Sequence, residues 1–164
     1  MQDPIDSSES TPGPGRTYRD TRDAFHERSR RALDQLLRLS RRLANTHADP
    51  AARQLAAELV EHFSRASRRH HEDEELNTFP GLLVSSDPEV LRVVTRLRRD
   101  HVRLARDWLE IEPHLEAVAS GQLWYDIDVI SEGTEVFVAL MHEHLALEDS
   151  LLPAPAQRNA EGRR

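Results

Sequence analysis

The chain has 164 residues, 22 basic against 29 acidic side chains for a formal net charge of −7, and no cysteine. That length is enough for one domain with its own core, the missing thiols exclude disulfides, thiolate metal sites and cysteine nucleophiles, and the acidic balance argues against a nucleic-acid binder. No apolar run approaches the ~20 residues of a membrane span and no basic-then-apolar leader opens the sequence, so a soluble cytoplasmic protein without membrane partners is expected.

Residues 1–16 are rich in Ser, Pro, Gly and Asp and read as a disordered N-terminal tail. The folded domain is expected over 17–153. A first helix spans about Thr17 to Asn45, with Leu33, Leu36, Leu37 and Leu43 as apolar positions. A second begins at Asp49-Pro50, an N-cap followed by proline at the first helical position, and is expected to stop before Phe79-Pro80-Gly81. A third begins the same way at Asp87-Pro88, runs to about Ala119 with an expected kink at Pro113, and is closed by Gly121. A fourth starts near Asp126 or Asp128 and stops before Pro153. Gly133 inside it costs about 1 kcal/mol relative to alanine. Residues 154–164 read as a flexible C-terminal tail. No strand-like alternation appears, so the fold class is all-α. Four long helices with short connections predict an antiparallel up-down-up-down four-helix bundle.

Rotation at about 100° per residue separates the nine histidines. On the second helix His70 shares its face with Leu59, Phe63, Ala66 and Glu74, and His71 falls at the edge. On the fourth, His144 shares its face with Phe137, Leu140, Leu151 and Glu148, and His142 points to solvent. On the third, His101 lies with Val94, Leu97, Ala105 and Trp108. On the first, His26 lies with Leu33, Leu37 and Ala44. A single histidine on an apolar face reads as a hydrogen-bonded core residue. The set reads differently. Each helix offers one inward imidazole, and two of them add a glutamate four residues on, in His70-x-x-x-Glu74 and His144-x-x-x-Glu148. Buried carboxylates and imidazoles need partners, and little on these faces is cationic. Two divalent ions held by His26, His70, Glu74, His101, His144 and Glu148 would satisfy all six. This donor set suits iron or manganese and also admits zinc. Asp73, Glu75 and Asp100 stand near enough to support the ligand rings.

These residues carry a resemblance. His26, then Arg69-His70-His71-Glu72-Asp73-Glu74-Glu75 leading to Phe79-Pro80, then Asp100-His101 with Trp108-Leu109, then Trp124-Tyr125-Asp126, and finally His142-Glu143-His144 through Glu148-Asp149 to Leu152-Pro153 are similar to the hemerythrin-like HHE cation-binding domains over about residues 22 to 155. The resemblance implies a four-helix bundle around a non-haem di-iron centre. In it Glu74 and Glu148 bridge two irons, His26 and His70 ligate one, and His101 and His144 the other. Oxygen-carrying hemerythrins have a further histidine one turn before the position of His101. Leu97 stands there, so an imidazole is missing unless His71 or solvent substitutes. That departure weighs against stable dioxygen carriage.

Three functions are consistent with these residues. The first is a di-iron protein that binds or senses dioxygen, nitric oxide or peroxide, or handles iron, without turnover as its main role. The second is a di-iron oxidoreductase acting on peroxide or nitric oxide. The third is a metal-free helical interaction module with a buried polar network. The sequence names no protein partner.

Overall fold

The computed structural model describes residues 18–151, with side chains from residue 21; both predicted tails lie outside the described residues. All elements among them are helical. We label the long helical runs α1 (Tyr18–Asn45), α2 (residues 50–83), α3 (Pro88–Ala119) and α4 (Ile127–Leu151).

Local chemistry sets the starts. Asp49 caps α2 by accepting the Ala52 N–H at 2.8 Å, with Pro50 in the first turn. Asp87 caps α3 by accepting from Glu89 N–H at 2.8 Å, with Pro88 behind it. Asp126 accepts from Asp128 N–H at 2.9 Å ahead of α4. These carboxylates satisfy amides that have no partner inside the helix. At the end of α3, Gly121 adopts φ +72°. Gln122 N–H then donates back to Ala117 O at 2.9 Å and Gly121 N–H to Val118 O at 3.1 Å, which closes the last turn. The helix itself runs through Pro113.

α2 departs from expectation. It does not stop before Phe79. Two π-helical stretches, His62–Ser67 and Glu74–Thr78, interrupt it, and a last α-helical turn Phe79–Leu83 follows. Pro80 is the second residue of that last segment, directly after the π-helical stretch.

The helices pack as a ring, with α1 against α2 and α4, and α3 against α2 and α4. A large apolar cluster fills one end, built on Leu33, Leu36, Leu39, Leu59, Ile111, Leu115, Ile130 and Met141 among others. A smaller one closes the other end around Phe79, Val94 and Leu97. At Gly133, α4 packs directly on Ile111 of α3. A Cβ there would lie 2.8 Å from Ile111 Cγ1, so close packing offsets the helix cost of the glycine.

The order of landmarks alternates along the chain. On α1 the inward His26 precedes the large cluster, and on α2 the large cluster precedes His70. On α3 His101 precedes it again, and on α4 it precedes Glu148. Between the two apolar clusters lies a polar layer.

Candidate metal centre

That layer is made of seven side chains. His26, His101, Glu74, His144 and Glu148 are buried, and His70 and His71 are nearly so. They form two groups that share one carboxylate. His26, His70 and Glu148 bring one donor atom each within 4.8 Å of the others, and so do His71, His101, His144 and Glu148. Glu148 Oε2 lies 2.6 Å from His26 Nε2 and 3.8 Å from His70 Nε2, and its Oε1 lies 2.5 Å from His144 Nε2. Glu74 spans the same gap from the opposite edge. Its Oε1 is 3.5 Å from His70 Nε2 and its Oε2 is 3.4 Å from His101 Nε2.

The approaches are short but miss hydrogen-bond geometry. Nε2 of His26, His70, His71, His101 and His144, Oε2 of Glu74, and both carboxylate oxygens of Glu148 are buried without a hydrogen-bond partner. An unsatisfied buried polar atom costs about 1–3 kcal/mol. Eight of them would cancel most of the ~5–15 kcal/mol that holds a domain folded. Cations set between the imidazoles and carboxylates would satisfy all of them, and nitrogen and oxygen donors of this kind fit divalent transition metals.

The family profile described as the hemerythrin HHE cation binding domain matches residues 19–154. This chain belongs to that family. A Haemophilus influenzae protein described as an uncharacterized protein is 31% identical over 128 residues, covering 78% of this chain and 72% of its own. No solved structure gives a significant match.

Supporting contacts aim the rings of this hemerythrin-like centre. His26 Nδ1–H donates to Asp149 at 2.8 Å, and Arg30 holds the other oxygen of that carboxylate at 2.5 Å. His101 Nδ1–H donates to Glu75 at 3.0 Å, and Arg98 holds Glu75 at 2.8 Å. In both pairs the proton is fixed on Nδ1, which leaves the Nε2 lone pair facing the centre. Asp100 stands 4.0 Å from His144 Nδ1, with Arg96 3.5 Å from it. Asp73 is turned outward and accepts from Asn77 instead. Glu75 and Asp100 stand beside the ligands as expected, and Asp149 joins them from the end of α4 without a signal in the periodicity.

Charge and burial pull these groups in opposite directions. Burial pushes the His26 ring toward neutrality, but the close approach and charge of Glu148, then the hydrogen bond and charge of Asp149, outweigh it and raise its pKa. His101 behaves alike: burial lowers it, and Glu74 with Glu75 raises it further. For His71 the charge of Glu148 offsets only part of the burial. Burial, helped by the nearby rings of His101 and His144, holds it neutral and well below its ordinary value. Burial alone would raise the Glu148 carboxyl; the approach of His144, His26 and His70 holds it well below the usual range. A neutral imidazole and an ionised carboxylate are the protonation states in which these side chains ligate.

All six residues picked out from the sequence point into this layer. His71, placed at the edge of its face, joins them and stacks on His101 with centroids 4.2 Å apart. The reason is the π-helical stretch at 62–67. One residue beyond the α-helical number in a turn delays everything after it by about 100°. Ser67 accordingly takes the buried place expected of Ala66. The adjacent pair His70 and His71 then straddles the centre, one ring in each group. Leu97 takes no part. It is fully buried in the small apolar cluster with Phe79 and Val94.

Proposed function

We propose that this hemerythrin-family chain is a non-haem di-iron protein that binds or senses a small ligand such as dioxygen, nitric oxide or peroxide, or handles iron. His26, His70 and Glu148 would hold one ion. His71, His101 and His144 would hold the other, with Glu148 and Glu74 between the two. The observation that carries this reading is the sharing of Glu148 by two donor groups. Two metals so joined would supply electron transfer and Lewis acidity to one small ligand. The residues do the rest: Asp149 and Glu75 keep the imidazoles in the ligating tautomer, and the apolar clusters on either side keep bulk water out. The alternating landmarks along the helices support an up-down-up-down bundle.

Turnover of peroxide or nitric oxide is the second reading, favoured by the cleft that His71 and His101 line. The metal-free module is disfavoured by the eight unsatisfied atoms. Elemental analysis and Mössbauer spectra of chain produced in iron-rich medium test the proposal. Near two irons per chain in a coupled pair is expected. Substoichiometric metal, or a melting temperature indifferent to chelation, would overturn it. Steady-state consumption of hydrogen peroxide and nitric oxide, set against free iron, separates sensor from enzyme.

A further inference from the structure

The π-helical stretches of α2 stand away from α3 and leave a cleft of about 810 Å³ between them. A diatomic ligand needs a small fraction of that, since a water's share of the liquid is only about 30 Å³. Pockets of roughly 300–1,000 Å³ are those of small organic molecules. The walls are Phe63, Leu104, Ala105, Trp108, Phe137 and Met141. Phe63, Trp108 and Phe137 form a ring cluster with centroids 5.0–5.2 Å apart. The polar groups beside them are spent on each other: Trp108 Nε1–H donates to Ser64 Oγ at 2.9 Å, and Ser64 donates to Glu112. Of the side chains lining the cleft, the buried polar atoms left without a hydrogen-bond partner are Nε2 of His71 and of His101. Those two belong to one donor group of the metal centre.

Ala105 makes the same point from the helix side. It shares the inward face of α3 with His101 and Trp108, yet it is exposed, because that face looks into the cleft. Val102 and Leu109 are 72% and 64% exposed at the cleft's edge. The charges there are paired, Arg68 with Glu72 and Arg98 with Glu75.

We infer that this cleft is a binding site for a small organic anion whose apolar body lies along the Phe63–Trp108–Phe137 wall and whose oxygen head group reaches the metal held by His71, His101 and His144. The inference rests on the di-iron reading for its head group. Two divalent ions bring four positive charges against the two negative charges of Glu74 and Glu148, and the three imidazoles of this half add none. The excess favours an anionic oxygen donor. The apolar wall selects for what is attached to it.

The test is calorimetric titration of the iron-loaded full chain with acetate, butanoate, hexanoate and octanoate, with the optical spectrum followed in parallel. Burial of each added methylene predicts about fourfold tighter binding until the tail emerges. Ala105→Trp fills the cleft from an exposed position. It should remove the dependence on chain length while leaving iron content and acetate binding as in the parent. Leu109→Glu, at the edge, should weaken octanoate alone and serves should the tryptophan variant misfold. An iron-loaded chain that binds acetate and octanoate equally, or an Ala105→Trp chain that binds octanoate as the parent does, would overturn the inference by itself. A chain that takes up no iron would overturn the di-iron reading, and the inference with it.

Discussion

The two halves of the metal layer use the same donors in different settings. His26 and His70 meet Glu148 on a closed side. Phe25 is buried and stacks on His70 at 4.0 Å, and the Asp149–Arg30 pair sits behind His26. His71, His101 and His144 meet the same carboxylate on a side that gives onto the cleft. The closed half draws on α1, α2 and α4; the open half draws on α2, α3 and α4. On the proposed di-iron reading, one half would anchor an ion and the other would exchange a ligand on it. Glu148 is the residue they share, and it is where the comparison breaks first. Glu148→Ala should reduce iron uptake at both halves. For the parent chain, an ion present at about a thousand times its Kd adds ~4 kcal/mol, so chelation should lower Tm on the order of 10 °C. In Glu148→Ala that difference should vanish. Calorimetry with and without chelator reads both. A variant that still holds two irons per chain would show that the halves are not joined through this carboxylate.

The next effect divides the halves. His26→Ala removes a donor from the closed side only, and His71→Ala from the open side only. Each should leave about one iron per chain, from opposite sites. Only His71→Ala should disturb ligand binding through the cleft while the closed site keeps its metal. Metal analysis together with azide titration distinguishes them. Full iron loading in His71→Ala would remove that ring from the ligand set and return the missing imidazole to solvent.

His71 also shows where the sequence could be read and where it could not. The caps Asp49, Asp87 and Asp126 act within three residues of themselves, so their chemistry is written locally. The inward positions of His101 and His144 follow from unbroken α-helical periodicity. α2 obeys that periodicity only as far as its first π-helical stretch, and nothing in His62–Ser67 announces the extra residue. The adjacent histidines were the available signal, since two neighbouring rings straddle a centre more readily than either reaches it alone. Ala105 failed for another reason. Its face was read correctly, but exposure depends on the gap between α2 and α3, which belongs to tertiary packing.

Leu97 sharpens the comparison further. The lack of an imidazole one turn before His101 is the departure that sets this chain apart from oxygen-carrying hemerythrins. Here Leu97 is packed with Phe79 and Val94 while His71 stands in the open half. Leu97→His should therefore not add a ligand. It should bury an unpartnered ring at a cost of about 1–3 kcal/mol, read as a lower urea midpoint, with iron content unchanged. A variant that instead binds dioxygen reversibly would mean that this position reaches the centre after all.

The smallest effect lies outside the metal layer, on the closed side. His62 stacks against Phe25 at 5.7 Å, and its Nε2 lies 3.0 Å from Ser29 Oγ. Burial, with the charge of Arg28 behind it, lowers its pKa to about 4. A folded-state value below that of the unfolded chain means that the native ring resists a proton the unfolded ring accepts. The stability this contributes is present above the ordinary value of 6.5 and is lost as the pH falls toward 4. The measurement belongs in chelator, because acid also strips metal from its ligands. His62→Gln keeps an acceptor for Ser29 and cannot titrate. Between pH 6.5 and 4 its stability should fall less steeply with acid than the parent's, by up to one proton's worth of slope. If the two slopes coincide, the proton taken up on acid unfolding belongs elsewhere. His71, buried neutral in the open half, is then the group to substitute next.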